Sequence, residues 1–144
     1  MSSAGHVITL ELPSRFDLLD LVQLLSDRMS SMAGLDEDAT HWVSVAVRES
    51  VINAIKHGNR EDESKHVTVE FTLVPRAKPE TFEVKVLDEG EGFDPDDVAN
   101  PLDPENVLKS SGRGIFFMRN FMDDVSIARR PGGGMAVRMS KKLD

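Results

Sequence analysis

Apolar and polar positions alternate in several stretches of the chain and recur at helical spacing in others. His6 to Leu12, "HVITLEL", sets Ile8, Leu10 and Leu12 against Thr9 and Glu11, which predicts a half-buried strand. "VTVEFTLV" places Val67, Val69, Phe71 and Leu73 on one face, and "TFEVKVL" does the same with Phe82, Val84 and Val86. The prolines of the link "PRAKPE" predict a hairpin-like turn between these strands. Further on, "VSIA" and "MAVRMS" flank "RRPGGG" and predict a closing hairpin, with Gly132 to Gly134 as its tight turn.

After the first strand the period changes. Ser14 and Asp17 make an S-x-x-D capping-box pattern, and Phe16, Leu19, Val22, Leu25, Met29 and Met32 then recur at helical spacing up to a stop at Gly34. A second helix opens near Asp36 or Asp38 and runs through Trp42, Val43 and Ala46 into "RESVINAIKHGN". "DEGEGFDPDDVANPLDPENVLKSSGRG" has another texture, rich in Gly, Asp and Pro and too long for a simple connection, which marks a functional loop. "IFFMRNFM" predicts a short helix after Gly114. Helices segregated from strands predict an α/β (α+β) two-layer sandwich, with the helices on one face of a mixed, mainly antiparallel sheet.

Length and composition narrow the classes. A chain of 144 residues without repeats or low-complexity linkers suits one domain over 1–144. No apolar run is long enough to span a bilayer, and "MSSAGHVITLELP" lacks the basic and apolar regions of a secretory signal. The absence of cysteine excludes disulfides, cysteine zinc sites and thiol catalysis, and fits the cytoplasm. A net charge of −8 argues against nucleic acid and against coating phosphate backbones. It is compatible with a nucleotide, which backbone N–H groups and a metal ion can hold.

Three stretches carry candidate chemistry. Glu49, Asn53 and His57 stand four residues apart, so a helix lines them along one stripe. A carboxylate there can act as a base, and an amide oxygen suits Mg²⁺ beside phosphates. The bland alternative is a solvated face with Gly58-Asn59 as a helix cap. In "VLDEGEGFDP" a strand runs into Asp88, then Gly90 and Gly92. A buried carboxylate at a strand end can accept a hydrogen bond from an exocyclic amine such as that of adenine; an ordinary Asp-Gly turn is the alternative. In "SSGRGIFFMRNF", Gly112 and Gly114 precede a helix, where backbone N–H groups can bind phosphate, although the Walker A and dinucleotide spacings are absent.

The order of these motifs resembles the ATP-binding (Bergerat-type) fold of histidine kinases, type II topoisomerases, heat-shock-90 chaperones and mismatch-repair ATPases. "ESVINAIKHGN", "DEGEGFDP" and "SGRGIFFMRNFMDDV" are most similar to the small anti-sigma-factor serine kinases, over nearly the whole chain. The resemblance implies a kinase that phosphorylates a serine of an antagonist (anti-anti-sigma) protein and sequesters a sigma factor, using ATP, with ADP as its product, and Mg²⁺. It implies Glu49 as base or orienter of the serine hydroxyl, Asn53 as the residue holding Mg²⁺, and Asp88 as the adenine acceptor. Gly90 and Gly92 would let the nucleotide pack closely. Gly112, Arg113 and Gly114 would wrap the phosphates, under a lid from Asp94 to Ser111. His57 is read as structural, satisfied near the helix end. The strand His6 to Leu12 would pair across a homodimer.

Two positions depart from the family pattern. Met135 follows Gly134 where a threonine hydroxyl is frequent, and Lys109-Ser110-Ser111 stands where an arginine often precedes the first lid glycine. These departures keep a second reading open, a nucleotide-binding regulatory module without efficient transfer. A third reading, a stand-alone catalytic domain of a histidine-kinase-like ATPase, lacks room for a dimerising helical hairpin.

Overall fold

The computed structural model describes residues 6–74, 80–90 and 121–143. The elements are β1 (His6–Pro13), a 3₁₀ turn (Phe16–Leu18), α1 (Leu19–Met32), α2 (Glu37–Asn53), β2 (His66–Val74), β3 (Thr81–Leu87), β4 (Asp124–Arg129) and β5 (Met135–Lys142). The expected lid, the phosphate-wrapping glycines and most of the short helix after Gly114 lie outside the described residues.

The strands form one sheet in the order β1-β2-β3-β5-β4. Every described pairing is antiparallel, so the mixed character expected of the sheet has no counterpart among the described residues. Register follows the alternation of the sequence. Val67, Val69, Phe71 and Leu73 of β2 and Phe82, Val84 and Val86 of β3 are all buried on one face. Burying a side chain of this size is worth about 1.5–3 kcal/mol, so a slip by one residue would forfeit the whole row. α1 packs on β2 and α2 on β3, and the two helices pack on each other. The result is the expected two-layer arrangement with a core between helices and sheet.

The helix ends show where local rules hold. Gly34, at φ +83, stops α1 with a paired closing bond: Leu35 N donates to Ser30 O and Gly34 N to Ser31 O. Asp36 caps α2, its carboxylate accepting from Ala39 N at 2.8 Å. The capping box expected at Ser14 does not form. The Ser14 hydroxyl is drawn away to Lys65 O at 2.7 Å, and Asp17 pairs with Arg15 instead. Of the apolar residues at helical spacing, Phe16 and Met32 are exposed; Leu19, Val22, Ser26, Met29 and Ser30 form the buried face of α1.

Candidate active site

The backbone of α2 does not end where its α-helical bonding ends. After Asn53 the chain makes one wider turn, Ala54–Gly58, in which Asn59 N bonds to Ala54 O at 2.7 Å. Such π turns add a residue per turn and are frequent at functional sites. Arg60 and Glu61 then adopt positive φ, at 53° and 59°, and reverse the chain toward β2. Gly58 is the pivot. A Cβ there would run into the Asp88 carboxylate, so only glycine lets the helix end lie against the end of β3.

Asp88 is the centre of the arrangement. It lies just beyond β3 and is 3% exposed. Its Oδ1 accepts from Gly90 N at 3.0 Å, an aspartate turn, and from Met135 N at 3.1 Å across the sheet. Its own N–H donates to Met135 O at 3.0 Å, and its carbonyl accepts from Arg130 Nη1 at 2.7 Å. Oδ2 makes no hydrogen bond among the described residues. Burial pushes the Asp88 carboxyl above the usual carboxylate range; the N–H groups of Gly90 and Met135 and the charges of Arg130 and Lys65 oppose that rise only in part.

Backbone crowds Asp88 from three sides. A Cβ on Gly90 would overlap Gly58 O, and one on Gly134, at φ +93, would overlap Asp88 O. The tight turn expected of Gly132 to Gly134 is present, bonded from Arg130 N to Gly134 O at 2.9 Å, and it also closes the back of the Asp88 pocket.

Asn59, 1% exposed, ties these pieces together. Its Nδ2 donates to Ser14 Oγ at 2.8 Å and to His66 O at 3.0 Å, and its Oδ1 accepts from Glu89 N at 2.8 Å. One amide thus joins the exit of β1, the entry of β2 and the residue after Asp88. The Glu89 carboxylate returns to His66 N, which fixes the same corner from outside.

The expected site residues divide three ways. Asp88 and Gly90 come together, with Gly58 and Gly134. Glu49 and Asn53 are half-buried on the flank of α2, and neither side chain makes a hydrogen bond among the described residues. Asn53 precedes Gly58 by five residues, about 7.5 Å along a helix axis. His57 is exposed rather than satisfied at the helix end, and burial of part of its ring, then Lys56, lowers its pKa. Gly92, Gly112, Arg113 and Gly114 lie outside the described residues. Among the described residues no group of three or more His, Asp or Glu side chains is arranged to hold a metal ion.

Sequence reasoning missed Asn59 and Arg130 and assigned Gly58 and Gly134 only as turn residues. The signal for Asn59 was its place directly after a helix-ending glycine, which an ordinary cap explains equally well. Arg130 carries no motif signal.

A model of the histidine kinase-like ATPase domain matches residues 12–141. The chain belongs to that family. Within it, the chain is 28% identical to "Serine-protein kinase RsbW" of Listeria monocytogenes, covering 100% of this chain and 92% of the relative. It is 27% identical to the protein of the same name from Bacillus subtilis, covering 100% of this chain and 90% of the relative. Among solved structures, the crystal structure of the RsbU and RsbW domains of Rv1364c from Mycobacterium tuberculosis superposes with a TM-score of 0.64 at 16% identity. That match covers 96% of this chain and spans 32% of the other, and it supports the fold. No helix among the described residues is long and apolar enough to cross a membrane.

Proposed function

We propose that this histidine kinase-like ATPase domain is an ATP-dependent protein serine kinase and anti-sigma factor of a partner-switching system. Its substrate would be a serine of an antagonist protein, and its second partner a sigma factor. The kinase part rests on relatives named serine-protein kinases that match the chain along its whole length. The observation that carries nucleotide binding is Asp88, which is buried, with Oδ1 taken by two backbone N–H groups and Oδ2 left as an acceptor. An exocyclic amine fits that oxygen, and the glycine backbone around it leaves no side chain to compete.

Bound ATP and Mg²⁺ would supply the transferable phosphoryl group and the neutralisation of its charge. Asp88 would accept the adenine amine and fix the register of the nucleotide. Gly90 and Gly92 would allow close approach, and Gly112, Arg113 and Gly114 would wrap the phosphates. The Asn53 amide oxygen would hold the metal ion. Glu49, four residues earlier on the same flank, would orient the serine hydroxyl and take its proton. The Met135 side chain offers no hydroxyl, yet both of its bonds to Asp88 are made by backbone, so the pocket does not depend on that side chain.

The test is ATP binding by calorimetry, with and without Mg²⁺, followed by detection of phosphoserine on the co-purified antagonist. Asp88→Asn turns the free acceptor into an NH₂ donor facing an amine. A lost charge-assisted hydrogen bond is worth about 1.5–3 kcal/mol, so affinity should drop at least about tenfold. Asn53→Ala should remove the Mg²⁺ dependence, and Glu49→Gln should bind ATP normally without transfer. A wild type that binds no ATP sinks the proposal. ATP binding without phosphoserine favours the module that binds nucleotide but does not transfer it.

A further inference from the structure

The two carboxylate oxygens of Asp88 differ in what they can still accept. Oδ1 takes the N–H groups of Gly90 and Met135, which uses both of its lone pairs. Oδ2 lies over Gly58, in the space a Cβ there would need, and makes no hydrogen bond among the described residues. A proton taken up by the carboxyl therefore sits on Oδ2. That is the oxygen the proposed exocyclic amine needs, and a protonated Oδ2 is a donor facing a donor. Proton and amine compete for one atom, and burial favours the proton.

The charged groups around Asp88 come from four places. Glu89 follows it, and its carboxylate turns away to His66 N. Lys56 and His57 stand exposed just before Gly58. Lys65 precedes β2, and Arg130 opens the β4–β5 turn. Against the rise caused by burial act the N–H groups of Gly90 and Met135, then Arg130, then Lys65. Of the two cations, Arg130 alone is bonded to Asp88 among the described residues, its Nη1 donating to Asp88 O at 2.7 Å.

The turn itself does not require this side chain. Backbone closes it: Arg130 N donates to Gly134 O at 2.9 Å, and Gly133 N donates to Arg130 O at 3.2 Å. Arg129, exposed one residue earlier, makes no hydrogen bond or ion pair among the described residues. The half-buried Arg130 side chain thus reaches from a turn already closed to the strand end that carries the carboxylate.

We propose that Arg130 is a positioning residue of the nucleotide site: it clamps the main chain of Asp88 and, through its charge, keeps Oδ2 free of a proton and open to the amine of the base. This role rests on the nucleotide reading of Asp88. ATP affinity then falls as pH drops through the titration of Asp88, and Arg130 sets where that acid limb begins. The guanidinium stays charged throughout, so the clamp itself does not titrate.

The experiment is ATP binding by calorimetry from neutral to acid pH, at fixed Mg²⁺. The carboxyl carbon resonance of Asp88 is followed over the same range without nucleotide. Titration of the ATP phosphates is common to all variants and cancels between them. Arg130→Gln removes the charge and keeps a donor. Its acid limb should begin at higher pH, with affinity at least about threefold below the wild type's on the acid side and converging toward neutral pH. The Asp88 resonance should titrate at higher pH as well. Arg130→Lys keeps the charge and should hold both near their wild-type positions. Arg129→Gln, a control for net charge, should move neither.

The proposal is overturned if Arg130→Gln leaves the limb in place, if Arg130→Lys moves it as far, or if Arg129→Gln moves it equally. An affinity of Arg130→Gln lowered by one factor at every pH also overturns it and leaves Arg130 a staple of the turn. A wild type that binds no ATP at any pH sinks the nucleotide reading, and this role with it. Binding that follows the titration of Asp88 but ignores Arg130 sinks this role alone.

Discussion

At its amino end α2 is stopped by one local bond, from Ala39 N to the side chain of Asp36 at 2.8 Å. At its carboxyl end it is stopped by residues far along the chain: Asp88 and Gly90 against Gly58, and Asn59 bonded to Ser14, His66 and Glu89. The amino end obeys a rule that any four-residue window contains. The carboxyl end exists only once β1, β2, β3 and the β4–β5 turn are assembled. A ligand site needs that second kind of construction, because it must hold a buried carboxylate, with one oxygen left unused, against its own desolvation. Changes at the two ends of one helix should therefore differ in size and in kind.

The largest effects belong to the glycines around Asp88. Gly90→Ala places a methyl group into Gly58 O, and Gly134→Ala adds a clash with Asp88 O to a backbone conformation that alanine avoids. Each should cost upwards of about 4 kcal/mol, because the obstructing atoms are backbone and cannot turn aside. Denaturant unfolding measures this directly. A stability within about 1 kcal/mol of the wild type would mean that the pocket is looser than described.

Asn59→Ala comes next. It orphans Glu89 N and His66 O and opens a small void, for a loss of about 2–4 kcal/mol. It should weaken ATP binding more than a stability loss alone implies, because Glu89 follows Asp88 directly. Asn59→Asp keeps the acceptor for Glu89 N but loses both donations, so it should restore part of the ATP affinity and little of the stability. Equal affinity in the two variants would remove Asn59 from the positioning of Asp88.

Asp88→Asn should separate stability from function. The folded pKa of Asp88 is raised, so its ionised form is disfavoured by folding, and any stability the group contributes is present below the unfolded value of 3.8 and lost as pH rises through the folded value. At pH 7 the asparagine variant escapes that cost and should be more stable than the wild type. Below the unfolded value both side chains are neutral and the gap should close. A gap that widens toward acid pH would contradict the burial argument.

The contrast between the two ends of α2 also explains what could be seen in the sequence. The strands were legible because burial on one face writes a period of two: Val67, Val69, Phe71 and Leu73 are buried as their alternation requires. Asp36 and Gly34 were legible because caps are local. The two hairpins were legible too, from the turns "PRAKPE" and "RRPGGG"; the pairings of β1 with β2 and of β3 with β5, the sheet order and Asn59 were not, since each depends on residues tens of positions away. Ser14 shows how a local rule fails. Its pattern spells a capping box, but the long-range bonds, part-buried to Lys65 and buried from Asn59, prevail over a solvent-exposed cap. Asp88 was singled out through its motif, whereas its unpaired Oδ2, on which the proposed role rests, became visible only with Gly90 and Met135 in place.

Asp36→Ala should have the smallest effect and gives the sharpest control. It removes one exposed hydrogen bond to the first turn of α2 and leaves Glu37 and Asp38 to complement the helix dipole. Loss of such a cap costs about 1 kcal/mol. If the two ends of α2 are as independent as their contacts imply, the variant should lose that amount in denaturant unfolding while its ATP affinity and its Mg²⁺ dependence stay at the wild-type values. The expectation rests on α2 being rigid once packed: Val43, Ala46, Val47 and Val51 remain buried whatever happens at residue 36, and they hold the register of Glu49 and Asn53. A drop in ATP affinity larger than the fraction unfolded would show that fraying at Asp36 travels the length of the helix. The amino end would then belong to the site, and the two ends of α2 would have to be treated as one unit.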